Sequence, residues 1–207
     1  MEQENEDILL SGQVSEFITL VSEYCHTIEN IVETGRKEFL WKMQKILPLL
    51  YMKTSMLPEI ESASGELVEK FVTEEEWSHV DEAVSEKFDH FNPYPAINTE
   101  SENYSVTHGS LSENFADIYQ DLKDFISLYN MGTPEMMQDA LHECITSFKE
   151  YWGHKLLENM KPIHHLLYNE NIEDEFDQPG KKIGFEDITT DSWIISRQKD
   201  HWNDHSE

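Results

Sequence analysis

The segment from Leu111 to Tyr129 constrains the fold more than any other part of the sequence. Steps of three and four residues place side chains on one face of an α-helix. The segment therefore predicts an amphipathic helix that buries its apolar face. Ser110 or Ser112 can cap its start, and Gly132 suits its end. Its apolar positions are Leu111, Phe115, Ile118, Tyr119, Leu122, Phe125, Ile126 and Tyr129.

The same spacing recurs in four other segments and predicts a helix in each. Pro48, which lies in the segment of residues 36–56, removes a backbone donor and predicts a kink or a break near Lys45–Leu47. The polar stretch from Asn92 to Gly109 predicts a loop. The four segments are residues 15–32, residues 36–56, a helix after the capping box Thr73–Glu76, and residues 133–167, bent at Gly153 and Pro162.

These elements predict an all-α fold, a bundle of five or six mostly antiparallel helices. The bundle domain is expected over residues 1–168. Residues 169–207 form an acidic C-terminal extension, expected to be partly ordered, because its aromatic residues lack helical periodicity.

Charge limits the partners. The 207 residues include 42 Asp and Glu against 15 Lys and Arg, for a net charge of −27. Such a surface repels nucleic-acid phosphates and anionic lipid, so neither nucleic acid nor a membrane is expected as a partner. The charge serves either solubility or the binding of a basic protein partner.

The sign of the charge changes between the first two helices. Residues 1–35 contain no Lys or Arg, whereas residues 36–53 carry five of them against Glu38. One interpretation is an antiparallel hairpin whose acidic and basic flanks face each other. The other is a basic groove for an anionic ligand.

Cysteine usage and the N-terminus indicate the compartment. Cys25 and Cys144 each lie on an apolar helical stripe, which is typical of buried thiols and not of disulfides or metal sites. Residues 1–7 lack the basic and apolar regions of a signal peptide, and no run approaches the roughly 20 apolar residues that span a bilayer. A cytoplasmic protein is the expectation.

Candidate site residues cluster in two blocks. Asp117 and Asp121 lie one turn apart on one helix face, and with His164 from the last helix they form a hypothetical metal site. The alternative is that each Asp pairs with a Lys or caps backbone amides, with no metal bound. As a ligand or partner surface, the candidates are Asp117, Tyr119, Asp121, Trp152 and His164.

The second block is Tyr151-Trp-Gly-His-Lys155. It indicates either a tight helix crossing at Gly153 or an aromatic wall of a ligand groove. Because His164 and His165 are adjacent, they point about 100° apart, and one is expected to face inward. His201 and His205, four residues apart, are a further candidate metal clip.

No phosphate-binding loop, nucleophile elbow or zinc-enzyme motif is present in the sequence. The sequence therefore favours a non-catalytic protein-interaction or adaptor module without a cofactor. The alternative is a metal- or small-ligand-binding bundle, including a hydrolase. A homodimer formed through the aromatic residues of the C-terminal extension is a third hypothesis.

The chain resembles a bacterial family of unknown function that is common in Bacteroides and its relatives. The resemblance covers about residues 14–168, and it implies a helical cytosolic protein without an established activity. Relatives often have His-Trp-Gly-x-His where this chain has Tyr151-Trp-Gly-His-Lys155. The resemblance therefore implies no histidine-based activity for this chain. The four blocks that carry it are Phe39-Leu-x-x-Met-x-Lys-Ile-Leu-Pro-Leu-Leu-Tyr51, Phe71-Val-Thr-Glu-Glu75, Ser112-Glu-Asn-Phe-Ala-Asp-Ile-Tyr-Gln-Asp-Leu-Lys-Asp124 and Tyr151-Trp-Gly-x-Lys-Leu-Leu157 with His164 beyond.

Overall fold

Helices dominate the computed structural model, which describes residues 2–66, 68–98 and 105–172. The last two helices form one continuous rod, because a π-helical turn, Phe148–Trp152, joins them. Counting that rod once, the described residues form six helices and one two-stranded sheet, so the predicted all-α bundle is confirmed. The elements are α1 Glu2–Leu9, α2 Gly12–Glu29, α3 Arg36–Ser55, α4 Glu74–Phe88, β1 Pro93–Asn98, β2 Ser105–Ser110, α5 Leu111–Tyr129, α6 Pro134–Ser147 and α7 Gly153–Asn169.

The helix boundaries follow the local capping chemistry. Thr73 caps α4 in a capping box with Glu76, as the sequence predicts. The Ser110 hydroxyl accepts from a backbone N–H in the first turn of α5, and Thr133 caps α6 in the same way. Gly132 adopts φ +82° in the short link between α5 and α6, a conformation that favours glycine.

Helix α5 lies at the centre of the bundle and packs against α2, α4, α6 and α7. Phe115, Ile118 and Leu122 are fully buried, which confirms the predicted inward face of this helix. The Phe115 ring meets Phe39 of α3 at 5.4 Å between ring centroids, in an edge-to-face arrangement. The core therefore forms around the segment with the clearest apolar periodicity.

Three predictions about local structure are wrong. The first helical segment begins at Gly12 and is preceded by α1, because Ser11 caps α2 and the buried Leu9 anchors the turn between them. The predicted loop from Asn92 to Gly109 contains the β1–β2 hairpin, in which Pro93 pairs with Ser110. The two prolines of β1 hide the strand in the sequence, although edge strands tolerate proline.

The third correction concerns Pro48: the predicted break does not occur, because α3 continues through this residue, and the alternative, a kink, stays a prediction. A proline in a helix interior costs about 3 kcal/mol. Leu47 and Leu50 on either side of it are fully buried. Their packing offsets that cost, since burial of one Leu side chain is worth roughly 1.5–3 kcal/mol.

Two other expectations concern the charge pairing between α2 and α3 and the state of the cysteines. The Lys53 ammonium of α3 bonds the Glu16 carboxylate of α2, which supports the interpretation of a charge-matched hairpin. Cys25 and Cys144 are both buried and free, as predicted.

Within the described part of the chain, every helix is too short or too polar to cross a membrane. The described residues all fall in one compact unit, Met1–Asp174, and the predicted extension lies almost entirely outside the described residues.

Candidate functional site

A row of polar side chains runs along one side of α5. Asn114, Asp117, Asp121 and Asp124 follow each other at steps of three, four and three, so they share one helix face beside the apolar one. We call these four residues the polar seam. It faces the rod formed by α6, the π turn and α7, together with the connector between α3 and α4 (residues 57–66 and 68–72).

Asp117 contacts three side chains, from α4, the π turn and α7. Its Oδ1 accepts from the indole N–H of Trp77 at 3.0 Å, and its Oδ2 accepts from the Tyr151 hydroxyl at 2.7 Å. The Lys155 ammonium lies 3.1 Å from the same Oδ2. Burial raises the pKa of Tyr151, and the hydrogen bond to Asp117 raises it further, so this phenol stays protonated at neutral pH. The cluster ties α4, α5 and the rod together.

The π turn carries Tyr151, one of the partners of Asp117. A Cβ on Gly153 would lie closer than 3.0 Å to the Phe148 carbonyl oxygen, so glycine is needed where the turn closes. The close approach predicted at Gly153 is therefore to its own π turn. Trp152 is fully buried, and its ring meets the Phe148 ring in a tilted arrangement at 4.7 Å between centroids. Its indole N–H donates to the Cys144 carbonyl. Such π turns often mark functional sites.

Asp124 and Asp139 fasten the connector to the bundle. Oδ1 of Asp124 accepts from the backbone N–H groups of Phe71 and Val72 at 2.7 and 2.8 Å. Oδ1 of Asp139 accepts from the Ala63 N–H at 2.7 Å and from Ser62. Burial raises the pKa of Asp139, but the hydrogen bonds outweigh burial and hold that pKa below the ordinary carboxyl value. Both carboxylates therefore cap backbone amides of the connector.

Asp121 occupies the part of the seam between these two clusters. Its Oδ2 accepts from the Ser147 hydroxyl at 2.9 Å, and the Lys70 ammonium lies 3.7 Å from its Oδ1. Burial raises the pKa of Asp121 above the ordinary carboxyl value. The candidate residues taken from the sequence do not include Lys70 or Asp124. The regular spacing of the carboxylates on α5 could have predicted Asp124.

The remaining candidate residues are not brought together with Asp117. Tyr119 lies on another side of α5 and donates to Glu29 of α2 at 2.9 Å, beside Lys123. His164 and His165 are both exposed, so the expectation that one faces inward is wrong. The His164 ring lies 4.7 Å from the Tyr168 ring on the outer side of α7.

Metal ligation by Asp117, Asp121 and His164 has no support in this arrangement. Within residues 2–66, 68–98 and 105–172, no three His, Cys, Asp or Glu side chains are grouped as a metal site requires. Asp117 and His164 have different contacts, with α4 and the π turn in one case and with Tyr168 in the other. His201 and His205 lie outside the described residues.

A second feature is an exposed apolar surface on α3 and α7. The two helices lie side by side: the Tyr168 hydroxyl of α7 donates to Gln44 of α3, and the Trp41 and Tyr168 rings are 6.0 Å apart. Along this pair, large apolar side chains point to solvent. We call them the α3–α7 face: Leu49, Tyr51, Met52, Met56, Leu157 and Tyr168.

Fold and site together define a helical bundle whose polar seam holds its own connector and helices. The family model described as a domain of unknown function, DUF5063, matches residues 9–169, and the chain belongs to this family. The resemblance to a family of unknown function is thus confirmed. The crystal structure of protein BF1032 from Bacteroides fragilis is similar, with 34% identity and a TM-score of 0.71. The match covers 80% of this chain and 99% of that one. Among curated proteins there is no match.

Proposed function

We propose that the protein is a non-catalytic interaction module that binds a partner protein through the α3–α7 face. The observation that carries the proposal is the concentration of exposed apolar side chains on two adjacent helices. Contiguous exposed apolar patches rimmed by polar residues are typical of protein-binding surfaces. The interaction or adaptor role that the sequence favoured thereby acquires a specific surface.

The composition of the face supports this role. Met52 and Met56 are 46% and 57% exposed, and Tyr168 is 54% exposed. Methionine and tyrosine are enriched in the cores of protein interfaces. Methionine also adapts its shape to different partners, because its side chain is unbranched and polarizable.

The charge around the face indicates the kind of partner. Helix α3 carries five basic residues and one acidic residue, and Lys161 lies exposed on α7. Two of these charges are paired, Lys42 with Glu38 and Lys53 with Glu16 of α2, and Glu158 is exposed on α7, so the positive excess on α3 is small. At physiological salt the screening length is about 8 Å, so this excess acts on a segment bound there more strongly than carboxylates elsewhere on the chain do. We infer an amphipathic helix with acidic residues beside its apolar stripe. This local charge favours an acidic segment over the basic partner that the total charge suggests. The basic residues of α3 are Arg36, Lys37, Lys42, Lys45 and Lys53.

The hydrogen bonds of three candidate site residues support a non-catalytic role. The polar atoms of Asp117, Tyr119 and Trp152 bond other parts of the chain, as described above. A catalytic group must be within hydrogen-bonding reach of a reacting atom. These three side chains instead stabilise the contacts between helices.

The test compares two matched methionines. Met52 and Met131 are similarly exposed, 46% and 50%, but only Met52 lies on the α3–α7 face. A stoichiometric partner captured by the wild-type chain is purified, and its affinity is measured by calorimetry for Met52→Glu and Met131→Glu. Loss of one buried Met contact is worth roughly 1.5–3 kcal/mol, or about 10- to 150-fold in Kd.

The expected result is weaker binding by at least about tenfold for Met52→Glu and an unchanged affinity for Met131→Glu. Equal effects of the two substitutions would refute the assignment of the face. Light scattering on the free chain measures its oligomeric state and so tests whether a second copy of the chain binds the α3–α7 face instead. A dimer that Met52→Glu dissociates would replace the proposed partner by self-association.

A further inference from the structure

The sulfur atoms that solvent can reach in this protein belong to methionine and not to cysteine. Cys25 and Cys144 are both buried. Burial raises the pKa of the Cys25 thiol to about 12 and that of Cys144 well above its usual value, so neither forms the reactive thiolate at neutral pH. An oxidant in solution therefore meets thioethers first. The described part of the chain exposes four methionines: Met52, Met56, Met131 and Met136.

Two of these methionines lie in one stripe on α3. Leu49, Met52 and Met56 follow each other at steps of three and four, so their side chains lie on one side of the helix. All three belong to the α3–α7 face, and Met52 and Met56 are 46% and 57% exposed. A chemical change at the two methionines therefore alters most of the stripe that α3 offers to a partner.

The fold does not depend on the exposed ends of these two side chains. The Met52 carbonyl accepts from the Ser55 hydroxyl at 2.8 Å, and the Met56 N–H donates to the Lys53 carbonyl at 3.2 Å. These bonds hold the backbone without using sulfur. The methionine that α3 contributes to the core is Met43, which is fully buried and out of reach of solvent. Oxidation at the surface of α3 therefore leaves the helix and the core in place.

Oxidation changes what the two side chains present to a partner. The thioether sulfur attacks one oxygen of hydrogen peroxide, the O–O bond breaks, and after proton transfer the products are a sulfoxide and water. The thioether is apolar, whereas the sulfoxide is polar and its oxygen accepts hydrogen bonds. Burial of such an oxygen against the apolar side of a partner helix, without a donor, is costly. Two sulfoxides one turn apart place two such oxygens in the same contact.

We propose that Met52 and Met56 form a reversible oxidation site that releases the partner from the α3–α7 face, an inference that rests on the function proposed above. A peroxide converts both thioethers to sulfoxides and lowers the affinity. Methionine sulfoxide reductases, which take two electrons from thiols, remove the oxygen as water and restore the affinity, with one enzyme for each sulfoxide epimer. Because Met43 and both cysteines stay reduced, the chain remains folded while it loses its partner.

The experiment oxidises the full chain with dilute hydrogen peroxide and follows each methionine by peptide mass spectrometry. The binding probe is the partner protein purified for the comparison of Met52→Glu with Met131→Glu, and its affinity is measured by calorimetry. The double variant Met52→Leu/Met56→Leu keeps the stripe apolar and removes both sulfur atoms. The matched control, Met131→Leu/Met136→Leu, removes two exposed sulfur atoms outside the α3–α7 face.

Peroxide is expected to weaken binding by the wild-type chain and by the matched control at least about tenfold, and the two reductases to restore it. Met52→Leu/Met56→Leu is expected to bind within about threefold of the wild-type chain and to keep that affinity after peroxide. Circular dichroism is expected to give the same Tm before and after oxidation within about 2 °C, since the core is not altered.

Unchanged affinity of the wild-type chain once both sulfoxides have formed would overturn the proposal. An equal loss of affinity in Met52→Leu/Met56→Leu would overturn it too, as would unfolding of the chain at the same level of oxidation. If Met52→Glu weakens binding but oxidation does not, the oxidation site is wrong and the function proposed for the face stands. If neither change weakens binding, both proposals are wrong.

Discussion

Replacing Gly153 by alanine should destabilise the protein, which is the opposite of the usual effect in a helix. Glycine in a helix interior costs about 1 kcal/mol relative to alanine. Here the new Cβ would lie closer than 3.0 Å to the Phe148 carbonyl oxygen and 2.9 Å from its ring. Ordinary contact begins near 3.4 Å, so the backbone of the π turn must shift.

Overpacking of this kind costs about 1–3 kcal/mol, and the atom that must move here is a backbone oxygen, so the cost lies at the upper end of that range. It exceeds the helix-propensity gain of about 1 kcal/mol by about 1–2 kcal/mol. For a domain of this size each kcal/mol corresponds to about 2–4 °C in Tm, so Gly153→Ala should lower Tm by several degrees. Thermal and urea unfolding followed by circular dichroism measure both quantities.

The matched control is Gly12→Ala at the start of α2, where a Cβ meets nothing within 4 Å. Its stability should change by less than about 0.5 kcal/mol or increase slightly. If Gly153→Ala stabilises the chain as much as Gly12→Ala does, the account of the π turn is wrong.

Three further predictions concern buried polar groups. Asp117→Ala leaves its donors without an acceptor and should cost about 2–4 kcal/mol in the free energy of unfolding, measured by urea titration. Because the pKa of Asp139 is held low in the folded state, its contribution to stability is present above the unfolded pKa and is lost as pH falls through the folded pKa. Asp139→Asn should therefore flatten the acid limb of the stability curve below about pH 4; an unchanged slope would contradict this. Burial raises the pKa of Cys25 to about 12 and that of Cys144 well above its usual value, so neither thiol should react with a thiol reagent at pH 8 until the chain unfolds. Rapid labelling of Cys25 or Cys144 in the folded chain would refute this prediction.

The sequence predicts the fold well where a single physical signal dominates. The apolar steps of α5 and the capping box at Thr73 both appear in the structure because local periodicity and capping act within one helix. The sequence did not predict the β1–β2 hairpin, because its first strand contains two prolines and because the contact that holds it is with another element. In that contact the Tyr94 hydroxyl accepts from Asn114 of α5 at 2.6 Å.

The candidate site was predictable only in part. The sequence offered pairing of Asp117 with a lysine as one alternative beside backbone capping and metal binding. That its partners are Lys155 and Trp77 depends on how α4 and α7 cross α5. The π turn could not be read from spacing, because one inserted residue changes the register of a helix without changing its composition. Lys70 belongs to an irregular connector, for which the sequence offers no periodicity.

Oxidation of methionines by dilute peroxide, read by peptide mass spectrometry, tests the central claim most directly. Met52 and Met56 lie on the α3–α7 face, whereas Met131 and Met136 are exposed elsewhere, 50% and 39%. All four should form sulfoxides at comparable rates in the free chain, since exposure governs their reactivity. In the complex with the partner, Met52 and Met56 should be protected and the other two unchanged. Protection of Met131 and Met136 alone would show that the partner binds another surface.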